Sequence, residues 1–169
     1  MNKTKDLILI ALFSAILFIQ EEALTFLPNI QLTVFLIILY TKTLGFKKTT
    51  LIILIHVLLD NLVLGSFNIV FTPFMFLGWM LIPILLNTLF KNLNDHLSLA
   101  YFSILSSFLY SWIYIIPAVL ILHVDVLAYL ASDFIFEVLL AGSSFLSTLW
   151  LYNPLYKAMQ ILLNKTYQK

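Results

Sequence analysis

Six long apolar runs, separated by a few polar or turn-forming breaks, dominate this 169-residue chain. The breaks fall at Pro28-Asn29, Thr43–Lys48, Gly65-Ser66, Lys91–His96 and His123–Asp125. A soluble domain is about 45–50% apolar and about 25% charged, whereas here 62% of residues are apolar and 10% charged. A domain of this size still exposes much of its surface, so one small core in water cannot hide so much apolar side chain. The runs lack period-two alternation, which excludes barrel strands and leaves helices. The expected fold is therefore all-α, a polytopic membrane protein of one domain. Its six transmembrane helices cover about 6–26, 29–45, 48–65, 68–90, 97–122 and 126–152, near the length that a bilayer demands. The second and third are short, which calls for bilayer thinning or burial against neighbours. Residues 154–169, after Asn153-Pro154, read either as a lysine-bearing interfacial tail on the cytoplasmic side or as the frayed end of the last helix.

Lys3 and Lys5 before Leu7–Phe18 imitate a signal peptide. Gln20, Glu21 and Glu22 follow with no small-x-small cleavage site, so the segment reads as a retained first helix. The chain has no Arg, and under the six-span arrangement Lys3, Lys5, Lys42, Lys47, Lys48, Lys91, Lys157, Lys165 and Lys169 all fall on the side of the N-terminus. The opposite loops hold Glu21, Glu22 and Asp125 instead. The positive-inside rule then places both termini in the cytoplasm of a bacterial cell membrane.

Cysteine is absent, which excludes disulfides, thiolate metal sites and thiol nucleophiles. No Gly-rich phosphate loop, metalloprotease helix motif or G-x-S-x-G is present. No metal or cofactor is expected, and the near-zero net charge argues against nucleic acid as a partner.

Ionisable side chains at membrane depth are costly and need a reason. His56 and Asp60 stand four residues apart on the third run, with Asn61 beside them, and Asp133 and Glu137 stand four apart on the sixth. That spacing puts each pair on one helix face. At a rise of about 1.5 Å per residue, Asp60 lies about 7 Å from its outer end, Asp133 about 10 Å deep and Glu137 about 16 Å. Two ionised acids one turn apart repel, so one is protonated or paired with a ligand. His56 reads as structural. Trp79 falls near the midplane, where an indole N–H needs a partner, and Tyr114 in the middle of the fifth run. The candidate substrate site is an outward cavity lined by Asp60, Asn61, Trp79, Tyr114, Asp133 and Glu137. Its lid is drawn from 22–31 and contains Glu21 or Glu22. Acids without lysines favour amines, cations or hydroxyl-rich molecules over carboxylates.

Ala11 and Ala15 stand at small-xxx-small spacing in Ala11-Leu12-Phe13-Ser14-Ala15, a face that another helix can approach closely. With the Lys-flanked start, the six runs and the inside termini, this motif resembles the substrate-binding S components of energy-coupling factor (ECF) vitamin transporters. The stretch from Leu27 to Pro83 is similar too, in Pro28-Asn29-Ile30-Gln31-Leu32, Leu58-Leu59-Asp60-Asn61 and Gly78-Trp79. The resemblance implies a high-affinity receptor for a vitamin-like small molecule. In that family the Ala motif docks on a transmembrane coupling subunit, a role that would fall on Ala11 and Ala15, and two ATPase subunits drive uptake. Substrate residues vary with the vitamin and are not carried over. Rival readings are a small structural inner-membrane subunit of a cell-envelope complex, and an intramembrane enzyme using Asp60 and Asp133 as a carboxylate dyad.

Overall fold

The computed structural model describes residues 3–63 and 67–167. The expected break at Gly65-Ser66 and the C-terminal Lys169 lie outside them. The described residues are all-α. The helices are α1 (Lys3–Ala23), α2 (Thr33–Leu44), α3 (Phe46–Val63), α4 (Phe71–Asn87), α5 (His96–Ile113), α6 (Ile115–Leu120) and α7 (Val126–Tyr167). Each apolar run of the sequence is occupied by helix, with α5 and α6 sharing the fifth. Two stretches, His96–Leu120 and Val126–Tyr167, are long and apolar enough to cross a membrane.

The shortness of the second run has a structural counterpart. At 12 residues, α2 is about 18 Å long, and it is the central element, packed against α1, α3, α4, α5 and α7. Val34, Phe35, Ile37, Ile38 and Leu39 are essentially inaccessible. A helix apolar all round is a core helix, and here burial against neighbours takes the place of length.

The breaks have local causes. Gly45 alone joins α2 to α3, at φ +81°, a conformation that costs glycine little. Asp95 caps α5, accepting from the Leu97 and Ser98 N–H groups at 3.1 Å each. The Ser98 bond, above all, holds its carboxyl below the usual range. Pro117 cannot donate to the Ile113 carbonyl, so the fifth helix breaks at Tyr114 and resumes as α6. Pro154 does not have that effect. In place of a break or frayed end, α7 runs through it to Tyr167, because side chains on both sides of it are packed. Tyr152 and Met159 are buried, and Tyr152 stacks on Tyr156.

The longest seam joins α5 to α7 through small side chains. Ser103, Ser106 and Ser107 on α5, and Ala141, Ser144 and Thr148 on α7, are all buried. Ser107 Oγ lies 3.2 Å from Ser144 Oγ, and serines on both helices bond back to their own carbonyls. Small residues let the two backbones approach closely.

One end of the bundle gathers the lysines. Lys48 Nζ bonds Asp6 Oδ1 at 2.6 Å and Tyr167 Oη at 2.8 Å, and Tyr167 bonds Asp6. Lys42 reaches the Lys91 carbonyl at 3.3 Å. The start of α1, the α2–α3 turn, the α4–α5 loop and the end of α7 thus share one end. The sides of the bundle are apolar and bare: Leu7, Ile19, Leu127, Phe134 and Trp150 are each at least 60% exposed.

Candidate functional site

The end opposite the lysines holds Glu21, Glu22 and Asp60. The last turn of α1 brings Glu21 to His56 of α3, with Oε2 3.1 Å from Nε2. The pair has ion-pair distance without hydrogen-bond alignment, so both ring nitrogens of His56 are buried without a hydrogen-bond partner among the described residues. Asp60, one turn beyond His56, has Glu21, His56 and Glu22 as its charged neighbours. Glu22 Oε1 is also buried and unpartnered. Three carboxyl groups and one imidazole are therefore neighbours where α1 packs on α3, and among the described residues no lysine takes part in the group.

The connection from α1 to α2 closes over this group. Gln20 straps it: its Oε1 accepts the Leu32 N–H at 2.8 Å, and its Nε2 donates to Thr33 Oγ1 at 2.8 Å. Thr33 Oγ1 in turn lies 3.2 Å from Glu21 Oε2 and 2.8 Å from Gln31 Oε1. Asn29 takes φ +55° in the middle of the loop, a value that Asn tolerates better than most residues. A cleft of about 230 Å³ opens there, lined by Glu21, Thr25, Pro28 and Gln31 among others.

Aromatic rings form the neighbouring wall. Trp79 of α4 is fully buried and lies flat on Tyr110 of α5, with ring centroids 3.6 Å apart and planes 16° apart. Its Nε1 has no hydrogen-bond partner among the described residues. Gly78 permits the stack, since a Cβ there would stand 2.8 Å from Tyr110 Cδ2. Tyr110 Oη lies 3.1 Å from Tyr114 Oη, and Tyr114 stacks on Phe71. Both tyrosines are within electrostatic reach of Glu21 and Asp60.

Glu21, Glu22, Asp60, Trp79 and Tyr114 thus belong to one neighbourhood. Asn61 adjoins it, but its amide is occupied. Nδ2 donates to the Val57 carbonyl at 2.8 Å, and Oδ1 accepts from Thr72 at 2.7 Å, tying α3 to α4. Asp133 and Glu137 stand apart, in a second group with Tyr129 and Trp112. Neither is a charged neighbour of Asp60, because α7 packs on α5, α2 and α6 and shares no extensive interface with α3. Tyr114 is within electrostatic reach of both groups, of Asp60 and Glu21 and of Tyr129. Among the described residues, Asp133 is therefore not a direct partner of Asp60.

Sequence reasoning singled out His56 as structural and gave no role to Gln20, Thr33 and Tyr110. The polar run Gln20–Glu22 was a signal for Gln20. Tyr110 had none beyond its aromatic neighbours. Ala11 is exposed and Ala15 half-buried on the outer face of α1, beside Leu7, Leu12 and Ile19. No family model, curated protein or solved structure matches the chain.

Proposed function

We propose that this chain is a membrane-embedded substrate-binding subunit of an ECF-type importer, taking a vitamin-like amine or cation from the outer face. The observation that carries the reading is the group of buried His56 and Asp60 with half-buried Glu21 and Glu22, inside a bundle whose sides are bare hydrocarbon. Apolar surface on that scale is a liability in water and ordinary in lipid. Lipid supplies no partner for buried carboxylates. A cationic ligand supplies one, through charge-assisted hydrogen bonds.

On this reading six hydrophobic segments lie in a bacterial cell membrane, with the lysine end and both termini inside. The short α2 is enclosed by its neighbours and needs no lipid contact of its own. The loop strapped by Gln20 is the lid, and the closed Trp79–Tyr110 stack is the packing behind the site, with Tyr114 beside it. Asp133 and Glu137 form the far side, reached past Tyr114. Ala11 and Ala15 lie on an uncovered face where a coupling subunit would dock, and two ATPase subunits would supply the energy.

The test is to purify the full chain in mild detergent and identify retained small molecules by mass spectrometry. The parent should retain an amine or cationic compound. Glu21→Gln and Asp60→Asn should each weaken its binding by about 1–3 kcal/mol, the range for a hydrogen bond to a charged group. Asp133→Asn and Glu137→Gln should do so to the extent that the ligand reaches past Tyr114. Ala11→Trp with Ala15→Trp should block uptake into cells while leaving retention unchanged. A chain that retains nothing, and whose acid variants titrate like the parent with every amine tried, overturns the receptor reading.

A further inference from the structure

The lysine end holds a second cleft, of about 580 Å³, between the first turns of α1 and the α2–α3 turn. Its rim carries Lys3, Lys47 and Lys48, and its wall includes Leu7, Phe46 and Leu51. Lys48 is neutralised by Asp6 at 2.6 Å. Lys3 and Lys47 are exposed and make no ion pair among the described residues, so the rim is net positive. The first turn of α3 points the same way. It begins directly after Gly45 and contains no acidic residue, so its free N–H groups face no carboxylate of their own helix. Below the rim, Leu7 is 65%, Leu51 46% and Phe46 39% exposed.

We infer that this cleft is a binding site for one anionic phospholipid, its phosphate on Lys3 and Lys47 and an acyl chain along Leu7 and Leu51. Basic clefts at the cytoplasmic ends of membrane helices suit lipid phosphates, each lysine adding attraction. The bare leucines below the charges distinguish a lipid from a free anion, which would leave that wall uncovered. The same apolar and cationic layering lets lysine stems lie along hydrocarbon while the ammonium reaches the headgroup. The inference rests on the membrane placement proposed above and is independent of any transport substrate.

The experiment is native mass spectrometry of the full chain in detergent. It is titrated with phosphatidylglycerol, with phosphatidylcholine of the same acyl chains, and with glycerol phosphate. One phosphatidylglycerol should bind in preference to phosphatidylcholine, and glycerol phosphate should not displace it. Lys3→Ala with Lys47→Ala should weaken phosphatidylglycerol about twenty-fivefold, at about fivefold per charge. The control Lys91→Ala with Lys157→Ala, lysines outside the cleft, should change it less than about twofold on the same scale. Equal binding of the two lipids overturns the inference, as does equal loss in both double variants. Displacement by glycerol phosphate assigns a free-anion site and overturns the lipid. Failure of the membrane placement has its own readout, release of the chain from cell membranes by alkaline carbonate.

Discussion

Both nitrogens of His56 are sealed away from solvent, and the nearest charge is the Glu21 carboxylate at 3.1 Å. One residue of sequence context makes His56 a core histidine. One helix of tertiary context makes it the counterpart of an acid on another element. A buried polar group stripped of its counterpart costs about 1–3 kcal/mol, and among the described residues Glu21 would keep its bond from Thr33. His56→Ala should therefore lower stability by about that amount, read as a drop in the thermal midpoint in detergent. His56→Gln should recover part of it by keeping a polar side chain beside Glu21. An unchanged midpoint in the alanine variant would show that the contact contributes nothing. The four-residue spacing from His56 to Asp60 was visible in the chain. The approach of Glu21 was not, because no periodicity within α3 reports what packs on it.

At the scale of elements, α4 and α5 meet through a glycine and a stacked pair of rings. A methyl group at position 78 would fall 2.8 Å from Tyr110 Cδ2 and 3.1 Å from Ile113 Cγ2. The Tyr110 ring cannot swing aside freely, since Trp79 lies flat against it. Overpacking of this kind costs about 1–3 kcal/mol, so Gly78→Ala should be clearly destabilising by thermal unfolding. In a Tyr110→Ala background the obstruction is gone, and the same substitution should cost much less. The double-mutant cycle measures that difference as a coupling energy; additive effects would mean that Gly78 serves some other need. Helix breakers show the same division of labour. Pro117 and Pro154 look alike in the chain, yet the helix breaks before the first and passes through the second. Propensity weakens a helix at each proline, and packing of Tyr152, Tyr156 and Met159 decides the outcome at Pro154.

For the whole molecule, the test of orientation exploits the absence of cysteine. Single substitutions Thr25→Cys, in the loop over the acids, and Asn92→Cys, in the lysine-end loop, place one thiol at each end of the bundle. A membrane-impermeant thiol reagent applied to intact cells should label Thr25→Cys and spare Asn92→Cys until the membrane is opened. The reverse pattern would invert the molecule, and labelling of both in intact cells would remove it from the membrane.

The chain alone determined the helical class, the positions of the apolar segments and the gathering of lysines at one end. These follow from composition and from the order of apolar and polar residues, which act locally and need no partner. Tertiary packing decided that α2 is enclosed, that α7 continues to Tyr167, and that Glu21 and Asp60 share a neighbourhood which Asp133 and Glu137 only adjoin. Each of these depends on which helices touch and at what register. A one-residue rotation of about 100° turns a side chain to a different neighbour without altering the apolar pattern that the chain displays.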